Sequence, residues 1–318
     1  LDGVGLYCRS LLLGLTGQRF GRSETKKYLQ DSDSLYLTVS RFIPRKNQNY
    51  MLLLNKEKET LLIPLYGKAM ESKKKAPILY DKKALEIVEK IDYDFKSLKI
   101  PGKTNTMMCL RAKLIDNFVI DHLEHKNKSI VLHLGCGLDS RYDRIRSSKV
   151  LWHDIDFGEV IEIRKNFYSA SENYQMVPSS VTAPEWIENI PAGGEDYLVI
   201  AEGLFMYLKE DEIKTLLDSL NKSIGSYTLI FDAFSKYTAG KLKNHPSIKR
   251  TGATIYWGID NPNELARWNS CIRYIKEIVF TSNEEINKMN FLTKLIYKIA
   301  NIFPMARNAH RILIYRID

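Results

Sequence analysis

Cysteine is scarce. The four residues at positions 8, 109, 136 and 271 include no pair at CxxC spacing. The signatures of a zinc site and of a disulfide framework are both absent, and a reducing compartment, the cytoplasm, is the expected location. Long apolar runs are also missing. The most apolar early stretch, Leu6 to Leu15, contains Arg9 and Ser10 and falls well short of the about 20 residues that span a bilayer. As a secretory leader it is compromised by Asp2 in front and by Gly17-Gln18-Arg19 in place of a small-residue cleavage site. No membrane partner is expected. Neither sign of charge dominates strongly: 47 Lys and Arg face 38 Asp and Glu, a net +9, which permits acidic partners without demanding them. No internal repeat or low-complexity tract occurs. With 44% apolar and 27% charged residues, the chain is neither disordered, collagenous nor a coiled coil. Its 318 residues fit one large domain or two small ones.

Residues 1–50 show no sustained period, and the first Met is Met51. The expectation is an N-terminal extension over 1–50 followed by one domain over 51–318. Leu61 to Glu71 reads as helical. Asp81 can cap a helix carrying Ala84, Ile87, Val88 and Ile91 at three- to four-residue spacing, and Thr106 to Glu124 repeats that spacing. The grammar then changes. Ser129–Leu134, Val150–Ile155, Asp196–Ala201, Tyr227–Asp232 and Arg311–Arg316 are short apolar runs of strand character. Between them, Glu159–Tyr168 and Asp211–Lys222 read as helices. Such alternation predicts an α/β fold with a parallel sheet covered on both faces.

The sharpest motif follows the first strand: His133-Leu134-Gly135-Cys136-Gly137-Leu138-Asp139-Ser140-Arg141. Two glycines let the chain turn tightly and let a ligand approach the backbone. Nineteen residues after Gly137, Asp156 ends the second strand, where a carboxylate can accept both hydroxyls of a ribose. That suits a nicotinamide dinucleotide or S-adenosyl-L-methionine. A dinucleotide turn needs a third small residue, but Ser140 and Arg141 stand there, and Asp139 would repel a diphosphate. A sulfonium cofactor carries no phosphate and is favoured by nearby carboxylates. Glu202, after the third predicted strand, would project into the same crevice. Left unpaired it calls for a cationic ligand; the alternative is a pairing with a nearby Lys or Arg. His133 reads as a structural strand-end residue.

The strings Leu134–Arg141, Asp154-Ile155-Asp156-Phe157 and Glu202-Gly203-Leu204-Phe205-Met206-Tyr207-Leu208 resemble the leucine carboxyl methyltransferase superfamily. Ile63–Ser72 and Ile91-Asp92-Tyr93-Asp94-Phe95 resemble its branch containing the tetracenomycin polyketide O-methyltransferase. The resemblance covers about residues 55–318. It implies a class I methyltransferase fold, Rossmann-like, with a seven-stranded mostly parallel sheet that ends in an antiparallel pair, N-terminal helical additions and a lid insertion. It implies S-adenosyl-L-methionine as cofactor. It assigns Arg111 to the cofactor carboxylate, Gly135 and Gly137 to the turn under the methionine part, and Asp156 to the ribose. Ser180 and Val181 fall at the adenine, Glu202 near the methionine part and Tyr207 beside the transferred methyl. Where the family often has an acid near the adenine, Ser179-Ser180-Val181-Thr182 offers only hydroxyls.

Methyl transfer is an in-line displacement with the acceptor about 3 Å from the methyl carbon. A carboxylate acceptor needs no base; an alcohol or phenol does. The candidates for a base are His245, Asp232 and Tyr207. The segment Phe234 to Trp268, rich in Tyr and Trp, either lines an acceptor pocket or packs as core and lid. The expected activity is an O-methyltransferase acting on a carboxyl or hydroxyl of a small, polyketide-like molecule. The alternatives are a nicotinamide-dependent oxidoreductase and an inactive binding protein on the same fold. A nucleic-acid partner is not expected, because no acidic-Pro-Pro-aromatic loop is present.

Overall fold

The fold is organised by its central strand. Ser129–Leu134 (β1) is buried at all six positions, which is why it reads as an unbroken apolar run. Parallel neighbours flank it, Val150–Asp156 (β2) and Asp196–Ala201 (β4). The computed structural model describes residues 59–191, 196–243, 253–289 and 291–318. Two units divide the chain, residues 1–53 with 90–93 and residues 54–89 with 94–318; the sheet belongs to the second. The expectation for residues 1–50 lies outside the described residues.

Beyond β2 comes Tyr174–Pro178 (β3), and beyond β4 come Tyr227–Phe234 (β5), His310–Ile317 (β7) and Ile272–Val279 (β6), in the order β3-β2-β1-β4-β5-β7-β6. Strands β1 to β5 are parallel, and β7 runs antiparallel to both β5 and β6. This is the class I methyltransferase architecture that the resemblance implies. The order reverses between β1 and β4, and ligands of open α/β sheets bind outside the carboxyl ends at such a point.

The helices expected from the amphipathic pattern form with shifted ends, and others join them. The longer ones are α1 (Glu59–Ser72), α2 (Lys82–Lys90), α3 (Gly102–Glu124), α4 (Arg141–Ile145), α5 (Gly158–Arg164), α6 (Glu210–Ile224), α7 (Lys236–Leu242) and α8 (Phe291–Ile302). Asp81 does cap α2: its Oδ1 accepts the Ala84 N–H at 2.9 Å. The helix expected over Glu159–Tyr168 stops at Arg164, where the guanidinium turns inward and bonds the carbonyls of Gly137 and Asp139.

The aromatic segment after β5 divides between core and surface. Trp257 is 6% exposed and packs near Phe205 and Phe231, while its neighbour Tyr256 is 53% exposed. Backbone bonds from the Tyr256 and Trp257 N–H groups to the Met206 carbonyl tie the segment to the loop after β4. Trp257→Ala should therefore lower unfolding free energy by about 3–5 kcal/mol, whereas Tyr256→Ala should stay within about 0.5 kcal/mol of the parent. Urea denaturation of both variants checks this.

Candidate functional site

Sheet register sets three acids level with one another at the carboxyl edge. Leu134 pairs with Ile155, His133 with Ile200, and Ala201 with Phe231. One step beyond Leu134, Ile155, Ala201 and Phe231 brings Gly135, Asp156, Glu202 and Asp232 into one row. Neighbouring strands lie about 4.8 Å apart, so the backbones of Asp156 and Glu202 stand about 10 Å apart on either side of the β1 turn.

That turn needs glycine twice. Gly135 and Gly137 have φ of +61° and +53°, a region that costs other residues about 1–2 kcal/mol. A Cβ on Gly135 would lie 3.0 Å from Leu204 Cδ1, and one on Gly137 would lie 3.3 Å from Leu61 Cδ2. Asp156 locks the turn from the side: Oδ2 accepts the Gly137 N–H at 2.7 Å and Oδ1 accepts the Phe157 N–H at 2.8 Å. A carboxylate has about four acceptor sites, so two remain for a diol. Burial raises this carboxyl above its ordinary pKa, against the pull of the two backbone N–H groups.

Arg111 reaches the same edge from α3. Its Nε donates to Glu202 Oε1 and its Nη1 to Asp232 Oδ2, each at 2.9 Å. Nη2 makes no hydrogen bond to a described residue and borders Gly203, where a Cβ would sit 3.2 Å away. Gly203 has φ of +64°, and its N–H donates to Asp232 Oδ1 at 2.5 Å. The guanidinium is thus held on two sides and presents its third nitrogen.

Glu202 is not the unpaired carboxylate that one reading of the sequence allows. Its second oxygen accepts from Arg141 Nη2. Arg141 has no solvent exposure; its Nε donates to Asp116 at 2.7 Å, and its Nη1 lies 3.2 Å from His133 Nε2. Asp139, expected to make the turn electronegative, is instead neutralised by Lys68 and Arg144, each at 2.7 Å. Arg144 also holds Asp81 and Asp116. Counted together, Lys68, Arg111, Arg141 and Arg144 face Asp81, Asp116, Asp139, Glu202 and Asp232. The cluster keeps one formal negative charge. His133 is structural, as expected: its Nδ1 bonds Asp154 at 2.9 Å, and Asp154 also takes Arg164, Tyr174 and Trp152.

The other expected residues scatter around this core. Ser180 and Val181 follow β3 at the same edge; Ser180 Oγ lies 2.9 Å from Thr182 Oγ1, while the Val181 side chain packs into the core. Tyr207 is half-buried in the short turn after β4. Burial raises its phenol pKa, against the pull of Arg111, so it is a proton donor at neutral pH and not a base. Asp232 is no base either: burial acts to raise its carboxyl, but Arg111 and His310 outweigh it and hold the group well below the carboxylate range. His245 lies outside the described residues. His310, which the sequence reading passed over, bonds Asp232 Oδ2 at 2.7 Å.

The chain is similar to known proteins along most of its length. Residues 62–221 match the family described as leucine carboxyl methyltransferase. The chain is 32% identical over 258 residues to the tetracenomycin polyketide synthesis O-methyltransferase TcmP of Streptomyces glaucescens, covering 81% of this chain and 95% of that protein. It is 26% identical over 270 residues to the S-adenosyl-L-methionine-dependent methyltransferase dpfgK of Gibberella zeae, covering 77% and 90%. Among solved structures, a DUF574 family protein from Streptomyces avermitilis superposes with a TM-score of 0.52 at 10% identity, covering 83% of this chain and all of that one.

The ion pairs make a sign-definite prediction. Burial acts to raise the Glu202 carboxyl, but Arg141 and Arg111 outweigh it and hold it at about 2 against an ordinary 4.5. A carboxyl depressed on folding stabilises the fold above its unfolded pKa, and that stability is lost as pH falls through the folded value. Stability should therefore fall between about pH 4.5 and about pH 2. Glu202→Gln should lose roughly 3–5 kcal/mol at pH 7, because two guanidiniums each lose one of the carboxylates that compensate them, and should show a shallower acid slope. Urea unfolding at a series of pH values measures both.

Proposed function

The chain belongs to the leucine carboxyl methyltransferase family and is an S-adenosyl-L-methionine-dependent methyltransferase, and we propose that it transfers the methyl group to an oxygen of a small, polyketide-like acceptor. The observation that carries the oxygen assignment is the 32% identity to a polyketide O-methyltransferase along 95% of that protein. Both curated relatives are named as methyltransferases, and the nicotinamide alternative finds no support in them.

The chemistry of the residues at this edge supports the cofactor assignment. The glycine turn holds its two residues at positive φ, and a Cβ at either would press on Leu204 or Leu61 and disturb the turn. In the proposed arrangement Asp156 accepts the ribose hydroxyls through its two free acceptor sites. Arg111 offers Nη2 to the methionine carboxylate while Glu202 and Asp232 fix its plane. Glu202 acts through Arg111 and Arg141 rather than as a bare anion. The net negative charge of the cluster suits a cofactor whose sulfonium and ammonium outnumber its carboxylate. Val181 and Ser180 border the adenine side, and Tyr207 stands on the acceptor side, where its phenol can donate a hydrogen bond.

When bound, the cofactor supplies an electrophilic methyl group on a positive sulfur. The chain's part is to align the acceptor oxygen with it and to exclude water. Calorimetry with S-adenosylhomocysteine tests the cofactor half. Asp156→Ala should weaken binding roughly 10- to 100-fold, the worth of a charge-assisted hydrogen bond pair; unchanged affinity would remove Asp156 from the site. Incubation with labelled cofactor and aromatic acids or phenols tests the acceptor half. An alkali-labile product is an ester and an alkali-stable one an ether, whereas methyl incorporation only at nitrogen or carbon would contradict the proposal.

A further inference from the structure

His310 opens β7 opposite Phe234 of β5, at the carboxyl edge that carries Asp156, Glu202 and Asp232. Its ring stacks on Phe234 with centroids 4.2 Å apart and meets Phe280 at 4.6 Å. Its Nε2 lies 2.7 Å from Asp232 Oδ2. Asp232 also accepts from Arg111 and from the Gly203 N–H, and an ionised carboxylate can only accept. Nε2 therefore carries the proton, and Nδ1 is left as a bare acceptor. Nδ1 makes no hydrogen bond to a described residue, and the side chain keeps 13% of its surface exposed. The two phenylalanines fix the ring plane and Asp232 fixes its tautomer. One carboxylate separates the imidazole from the Arg111 guanidinium.

We propose that His310 is the general base for methylation of an acceptor hydroxyl, with Asp232 as its positioning residue. This rests on the oxygen-methyltransferase reading and narrows it to hydroxyl, phenol-type acceptors. In the step, the acceptor O–H proton passes to His310 Nδ1. The oxygen forms the O–CH3 bond, and the S–CH3 bond breaks with its electron pair staying on sulfur, giving S-adenosylhomocysteine. The imidazolium is stabilised by Asp232 and releases its proton to solvent. The charged groups facing the ring are Asp232 from β5, Arg111 from α3 and Glu202 after β4; Phe234 and Phe280 contribute none. Burial lowers the imidazole pKa and Asp232 partly restores it, so the base is neutral and competent at pH 7.

Two measurements on the full chain test the assignment. Nitrogen NMR of histidine-labelled protein with bound S-adenosylhomocysteine, the signal identified by its loss in His310→Gln, should show Nε2 protonated and Nδ1 bare at pH 7. Turnover is followed with 1-naphthol as hydroxyl probe and 1-naphthoic acid as carboxyl probe. His310→Gln should bind S-adenosylhomocysteine as the parent does. It should lose naphthol turnover roughly a hundred- to ten-thousandfold and lose the acid limb of the pH–kcat profile. A protonated Nδ1, or a variant that keeps naphthol turnover and its acid limb, overturns the proposal. A parent chain that methylates only naphthoic acid also overturns it. If the parent methylates neither probe, the tautomer measurement alone decides: a bare Nδ1 upholds His310 as the base and a protonated one overturns it.

Discussion

A fully buried arginine directly after the glycine turn governs the architecture of the site. Arg141 joins four elements: it opens α4, bonds Asp116 of α3, lies against His133 of β1 and holds Glu202 beyond β4. Breaking a buried ion pair by removing one partner costs several kcal/mol because the other charge is stranded. The geometry is therefore strongly determined: with Arg141 fixed, Glu202 is fixed, and with Glu202 and Asp232 fixed, Arg111 has one plane to occupy. A small residue at this position would favour close helix approach and phosphate binding. The arginine gives up that option and organises a cluster of carboxylates and guanidiniums at the carboxyl edge, an arrangement compatible with a cofactor that carries no phosphates.

The legibility of the chain followed burial. Strands β1, β2, β4, β5 and β7 are covered on both faces and appear in the sequence as apolar runs whose ends fall within two residues of the observed ones. The edge strands did not stand out. Ile272–Val279 alternates Arg, Lys and Glu with apolar residues and is mostly exposed or half-exposed, as edges that resist further pairing tend to be. Tyr174–Pro178 is five residues long and ends in proline. Helix α8 was legible and passed over: Leu292, Leu295, Ile296 and Ile299 recur at three- to four-residue spacing, although none of its residues is buried.

At the site, the residues that touch backbone were readable and the pairings were not. Gly135, Gly137 and Asp156 could be placed from spacing because a turn and a strand end have fixed geometry. That Glu202 is shared by two arginines, and that Asp139 is spent on Lys68 and Arg144, depends on α1 and α3 folding over the sheet edge. No local pattern encodes that. His310 stood 78 residues from Asp232 and gained meaning only through the antiparallel pairing of β5 and β7. The acidic character inferred for the rim survives as one net charge of a paired cluster and not as a set of free carboxylates.

In the proposed arrangement Arg111 and Asp156 grip opposite ends of one cofactor across the β1 turn. A crystal structure of the S-adenosylhomocysteine complex tests this most directly. The account predicts the amino acid carboxylate against Arg111 Nη2, the ribose diol on Asp156 and the Arg111–Glu202–Arg141 pairs intact. A ligand seated away from this edge, or an Arg111 that leaves Glu202 to make room for it, would contradict the account.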